Sequence, residues 1–408
     1  MHVELCMVGV CPVRILRTGR LPMASLRELM EPNRAIFIHG PELEEYSYPR
    51  ECPFNTSRAP QARKMLASMG LLSGTGRSEL APAPANRQEL LTFHDEAYLD
   101  ALEKAPQGYL DTDGLFMGLG TADTPIFLGM YEHAALVAGA TLTGAKLLLA
   151  GETDIAFNPS GGLHHAHAAH ASGFCYINDV VIACEHLAAA GKRVFFLDID
   201  AHHSDGVQDA FYDRRDVFTL SFHESGKTLF PGTGFENEIG ERDGTGFSAN
   251  VPMPAGVYDD AYLRAFRAIA PPLIGAFDPD IIVMEVGMDC LAGDPLTHMS
   301  LTNNAYAEAV RLVRDIGKPL LVTGGGGYHI ENSARGYALV WLVLCGEDDH
   351  SADMGLGLGG VMMETSDWAG GLRDRQLVTT EAQQAEVGPA VDATVEKVRK
   401  NVFEYHGL

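Results

Sequence analysis

The segment "LDIDAHHSDGV", residues 197–207, places three aspartates and two histidines directly after the apolar run "RVFF". Asp200 and His202 lie two apart, so in an extended segment their side chains project to the same side. Asp289 ends a second apolar run, "DIIVMEVGMD". Two carboxylates and one imidazole make three ligands and leave one position open, the donor set of a catalytic zinc site. Such an ion lowers the pKa of water toward neutrality. The competing reading is two surface carboxylates and a structural histidine at loop starts. Placement of all three after buried strands favours the metal.

A hydrolase of this kind needs a base for the water and an acid for the leaving group. His164 and His165 follow a Gly-Gly turn in "SGGLHHAHAAH". Each imidazole needs an orienting partner for its other nitrogen, and Asp198 and Asp205 are available carboxylates on the 197–207 segment. The same tract also reads as a polar loop or an adventitious metal-binding run. Tyr328 follows four glycines in "TGGGGY". Glycine lets backbone approach closely or take positive φ, and a phenol hydroxyl is a good donor to a developing oxyanion. The other reading of Tyr328 is a buried aromatic at a loop end.

Residues of this kind need strands to carry them. "RAIFIHG" reads as a first strand; "DIAF", "RVFFLDID", "VFTLSFH", "DIIVMEVGMD" and "KPLLVTG" are continuous apolar runs, and helical stretches separate them. This pattern predicts an α/β fold with a central, mostly parallel sheet flanked by helices on both faces. Ligands collect at the carboxyl ends of such strands, where the polar residues lie. A helical stripe is expected over 173–191, with Gly191 as its stop. A second helix is expected to end at Pro271, and a third to occupy 303–316 with Thr302 as N-cap. Residues 109–125 and 347–376 are expected to be loops. No linker is evident after residue 34, so 34–408 is expected to be one catalytic domain and 1–33 an extension of unknown role.

Fifty-four acidic residues against 30 basic give a formal net charge of −24. That balance disfavours nucleic acid and anionic lipid as partners and mildly favours cationic ones. Seven scattered cysteines without a CxxC pair argue for a reducing compartment. No apolar stretch reaches the ~18 residues of a membrane span, and the N-terminus lacks the form of a signal peptide. The expected localisation is cytoplasmic.

Together, "SGGLHHAHAAHASGFCYIND", "LDIDAHHSDGVQDAFY", "TLSFHESGKTLFPGTG", "VGMDCLAGDPL" and "TGGGGYHIENSARGY" resemble the zinc-dependent histone deacetylase family. "GTADTPIFLGM" resembles its bacterial acetoin-utilisation branch. The resemblance covers roughly residues 34–400. It implies the arginase/deacetylase fold and hydrolysis of an acetyl amide on lysine, in a protein or peptide. By motif position, Zn2+ would be held by Asp200, His202 and Asp289. Asp198 would stand behind His164, Asp205 behind His165, and Tyr328 would polarise the carbonyl. Phe174 and Phe230 would wall the acyl-lysine tunnel, with Gly173 and Leu296 lining it. Asp123 would grip the substrate backbone at the rim, and Arg58 would lie beneath the site. A structural K+ would sit near Asp198, Asp200, His202, Ser221 and Phe222, with a second near Phe211 and Val217. Ser204 replaces the family's usual glycine and is expected to perturb the loop carrying Asp205.

Three alternatives stay open at this level. The substrate is a small acetylated amine or a longer acyl chain. The enzyme is a binuclear, arginase-like manganese hydrolase, which wants a carboxylate where Gly287 stands. The chain is a non-catalytic acyl-lysine-binding homologue, which predicts lost ligands where none is lost.

Overall fold

The computed structural model describes residues 34–348 and 371–408. The proposed extension over 1–33 and most of the 347–376 loop lie outside those residues. Asn33–Leu408 form one compact unit. Eight strands build one sheet: β1 Ala35–Ile38, β2 Arg77–Leu80, β3 Ile155–Asn158, β4 Val194–Asp198, β5 Val217–Glu224, β6 Ser248–Met253, β7 Ile281–Glu285 and β8 Leu320–Thr323. Their order is β2-β1-β3-β8-β7-β4-β5-β6, and every pairing is parallel.

Alternation along each strand divides the core. Phe195 and Leu197 of β4 face the helices Asp259–Phe277, Asn303–Arg314 and Ile330–Cys345. Val194 and Phe196 face the helices Met130–Leu149 and Asp179–Ala189. Rings fill the first layer closely: Phe195 stacks on Phe218 at 4.7 Å, and Trp341 meets Phe37 edge-on at 5.3 Å. Each such side chain contributes about 1.5–3 kcal/mol by leaving water.

Strand register places one polar residue from each of six strands side by side. Asn158, Thr323, Glu285, Asp198, Ser221 and Asn250 are neighbours in sequence across β3, β8, β7, β4, β5 and β6. All six are buried. In-register residues of parallel strands project to one face, so this polar row floors the carboxyl end of the sheet.

Two expected helices differ in extent. The helix foreseen from residue 173 begins at Asp179, capped by Asn178, whose side chain accepts from the Val181 N–H. Gly173 and Phe174 have φ of 52° and 67° and cannot be helical. The helix foreseen to stop at Pro271 runs through both prolines to Phe277. A mid-helix proline costs about 3 kcal/mol. Burial of Leu273, Ile274 and Phe277 on the following turn offsets that cost. The 109–125 loop contains a short helix, Thr112–Phe116, and strands β2 and β6 are additions to the expected set. The 303–316 helix and its Thr302 cap form as expected over Asn303–Arg314. No described helix is long and apolar enough to cross a membrane.

Candidate active site

Asp200 and His202 follow β4, and Asp289 lies in a tight turn after β7. One ligand atom from each lies within 4.8 Å of the others. His202 Nδ1 is 3.1 Å from Asp200 Oδ1 and 2.9 Å from Asp289 Oδ2. Backbone donors fix both carboxylates. Asp200 Oδ2 accepts from the Gly326 N–H at 2.6 Å, and Asp289 Oδ1 accepts from the Ala201 N–H at 2.8 Å. A Cβ at Gly287 would overlap Asp200 Oδ2, and one at Gly326 would overlap Asp289 Oδ2. Two glycines therefore make room for this cluster, which all three side chains enter from buried positions.

The tandem histidines stand beside it. His164 Nδ1 is 2.8 Å from Asp198 Oδ2, and His165 Nδ1 is 2.7 Å from Asp205 Oδ1. Their Nε2 atoms are 3.0 Å apart. The His165 ring centroid lies 5.7 Å from that of His202. The Tyr328 ring centroid is 6.2 Å from that of His202. Gly325 and Gly327, with φ of 139° and 124°, turn the chain toward the cluster. Arg58 holds that turn: it donates to the Gly327 and Gly325 carbonyls at 2.8 and 2.9 Å. Its buried guanidinium also lies 4.5 Å over the Phe54 ring.

The family profile for the histone deacetylase domain matches residues 52–344, which include every one of these groups. The chain belongs to the histone deacetylase family. It is 40% identical over 322 residues to the acetoin utilization protein AcuC of Bacillus subtilis, covering 77% of this chain and 83% of that one. It is 37% identical to histone deacetylase 8 of Xenopus tropicalis over 76% of this chain and 84% of that one. The crystal structure of a histone deacetylase homologue from Aquifex aeolicus superposes with a TM-score of 0.78 at 31% identity. It covers 90% of this chain and all of that one. The sheet and its flanking helices are thus the arginase/deacetylase fold, and the chain lies in the acetoin-utilisation branch of the family.

Histone deacetylase family members are metal-dependent hydrolases, and the Asp200–His202–Asp289 cluster suits a divalent ion. His202 Nδ1 faces both carboxylates, so a proton competes with an ion for that nitrogen. Burial alone would lower the His202 pKa, but Asp200 and Asp289 outweigh it and push it up to about 10. An incoming ion must displace that proton. Ion affinity is therefore expected to rise about tenfold per unit between about pH 7.5 and 9, with one proton released per ion. Competition with a chromophoric chelator across that range measures the slope; a flat profile contradicts a protonated His202.

The other residues expected at the site fall as follows. The Phe174 ring lies 5.8 Å from Tyr328, and Phe230, 43% exposed, lies 4.9 Å from His165. Gly173 packs so closely on His165 that a Cβ would overlap the imidazole. Leu296 is half-buried nearby, on the loop that also holds Tyr328. Asp123 is exposed on the 117–129 loop and acts electrostatically on Cys52. No described contact joins it to the metal cluster. Ser221 and Asp198 adjoin in register. The Phe222 ring packs on Phe266 in the core, so only its main chain is available to a monovalent ion. Phe211 and Val217 bury their side chains in a separate apolar cluster. Ser204 has a φ of −76°, which any residue adopts, and the tight turn it makes brings the Asp205 N–H onto the His203 carbonyl.

Sequence reading missed two groups. Glu285 is fully buried, with Oε1 3.0 Å from His164 Nδ1. Neither of its oxygens has an aligned hydrogen bond, because the His164 N–H is directed at Asp198. Burial pushes its carboxyl well up, against the pull of His164. The signal was "IIVME", an apolar run ending in a carboxylate. The second group is Asp294, which accepts from the backbone N–H of Tyr328 at 2.7 Å and of Leu296 at 2.9 Å. Its signal was the turn-forming "GDP".

Proposed function

We propose that this protein is a zinc-dependent deacetylase acting on N-acetyl-lysine in proteins or peptides. The observation that carries it is the meeting of a three-ligand cluster, a carboxylate-backed histidine pair and a phenol at one set of strand ends. An ion held by Asp200, His202 and Asp289 would supply Lewis acidity and lower the pKa of water beside it.

The chain's own groups divide the remaining work. Burial, with the adjoining His164, pushes His165 down to about 4. Its imidazole is neutral near pH 7 with Asp205 on Nδ1, which leaves Nε2, 3.0 Å from His164 Nε2, as the basic nitrogen. Burial lowers His164 as well, but Glu285 and Asp198 outweigh it and raise its pKa well above the usual value. His164, Asp198 and Glu285 thus hold a proton among them beside the reacting centre. Burial and the neighbouring Asp289 and Asp200 keep the Tyr328 hydroxyl protonated. It is thus a donor for the acyl oxygen as that atom gains charge. A protonated histidine of the pair returns a proton to the leaving amine.

Phe174 and Phe230 form apolar walls suited to a lysine methylene chain, with the exposed Asp123 at the rim. A formal net charge of −24 on the chain supports a basic peptide as substrate. Asp198 and Ser221 support a structural K+ at the floor. All five described cysteines are free thiols, which supports the reducing cytoplasm as location.

The test is turnover of a panel of acetyl-lysine peptides, longer acyl-lysine peptides and small acetylated amines by zinc-loaded protein, with and without chelator. Acetyl-lysine peptides are expected to be hydrolysed, and chelation to abolish it. Turnover of the small amines alone would replace the proposed substrate. Binding of acetyl-lysine with no turnover of anything would mark a non-catalytic binder.

A further inference from the structure

His167 lies two residues beyond the histidine pair, and nothing above gives it a role. Its Nε2 is 3.5 Å from Asp205 Oδ2 and its Nδ1 is 3.2 Å from Asp209 Oδ2. Both ring nitrogens thus face carboxylate oxygens. Both are ion-pair contacts, and two carboxylates flanking one imidazole favour its charged form. The segment is fixed by main-chain bonds between His167 and His170, with the His167 N–H 2.9 Å from the His170 carbonyl. Asp205 and Asp209 are four apart on the helix Asp205–Phe211. Like charges at that spacing repel, and a cation between them offsets the repulsion.

Asp205 is thereby shared. Its Oδ1 takes His165 Nδ1 at 2.7 Å and the Gly206 N–H at 3.0 Å. Its Oδ2 is left to His167. A carboxylate engaged through one oxygen alone can rotate about its last bond, whereas one held through both cannot.

We propose that His167 is a positioning residue that grips the second oxygen of Asp205 and so holds that carboxylate on His165. This rests on the deacetylase reading above, in which His165 accepts the proton. Contacts with Asp205 and Asp209 raise His167 to about 10, against partial burial, which agrees with the geometry. The other titratable groups around it are His165 on its own segment, His170 across the main-chain bridge, and His94. His94 meets the Ala168 carbonyl and is pushed down to about 4 by burial, so it adds no charge.

The test uses the zinc-loaded full chain. His167→Ala is expected to lower kcat about tenfold, with KM changed less than about twofold, as for loss of an orienting outer partner. His167→Lys, which restores a cation, is expected to recover activity to within about threefold of wild type. Nitrogen-15 NMR of wild type is expected to show His167 doubly protonated at neutral pH. In Asp209→Asn, which lies away from the reacting groups, His167 should titrate at lower pH. The downfield proton on His165 Nδ1 should weaken in His167→Ala and return in His167→Lys. The proposal is overturned by a neutral His167, by an unchanged His165 proton signal in His167→Ala, or by His167→Lys no better than His167→Ala. Wild-type protein inactive on every acyl-lysine would sink the deacetylase reading, while the NMR outcomes would still decide the His167–Asp205–His165 contact.

Discussion

Tyr328→Phe is expected to lower kcat by about 10²–10³-fold, the usual cost of losing one oxyanion donor. The ring has no other task that phenylalanine would fail. Its position comes from the main chain, through Arg58 on the Gly325 and Gly327 carbonyls and Asp294 on its own N–H. Its contacts with Phe174 and His202 are ring contacts that phenylalanine keeps. The variant should therefore fold and bind its ion as wild type does, and KM should change by less than about threefold because the hydroxyl acts on charge that develops late. Steady-state kinetics on an acetyl-lysine peptide, alongside metal analysis, checks this. Activity within about fivefold of wild type would remove Tyr328 from the proposed chemistry.

Asp200→Asn is expected to have the larger effect. The amide keeps the shape and can still accept from the Gly326 N–H, the bond that Asp200 Oδ2 makes at 2.6 Å. It loses the negative charge that makes a good ligand. Bound ion should fall from about one per chain to a small fraction, and turnover by at least about 10³-fold, because Lewis acid assistance is worth several kcal/mol and each 1.36 kcal/mol is tenfold. Native mass spectrometry and an activity assay read the two quantities together. Full ion occupancy in this variant would show that the ion is held elsewhere. The second candidate group among the described residues, His164, Asp200 and Glu285, also contains Asp200, so that outcome would place the ion outside both.

Much of this was legible in the chain because buried strands announce themselves as apolar runs, and a polar residue ending such a run is conspicuous. Asp198, Asp200, Asp289 and Tyr328 were found that way. Glu285 obeys the same rule, but Val286 and Met288 carry the apolar run on to Asp289 and mask it. Strand β6 carries Ser248, Asn250 and Pro252, so it shows no apolar run, although its residues are buried. Strand β2, "RSEL", lies at the sheet edge with every second residue exposed, and its hydrophobic signal is correspondingly weak. The stretch 173–178 matched a helical stripe because apolar spacing does not report φ. Only the positive φ of Gly173 and Phe174 reveals a turn rather than a helix there. The partners His165–Asp205 and His164–Asp198 are 40 and 34 residues apart in the chain. Such pairings depend on tertiary placement, and the family resemblance supplied them where spacing could not.

The row from Asn158 to Asn250 belongs to strands, whereas Asp123, Phe174, Phe230 and Leu296 belong to loops. A strand residue cannot be moved without disturbing its neighbours on either side, but a loop can be exchanged at its two anchor points. Laboratory redesign of what this protein accepts should therefore graft new rims onto an untouched base, and random mutagenesis should recover altered selectivity almost wholly from the grafted layer.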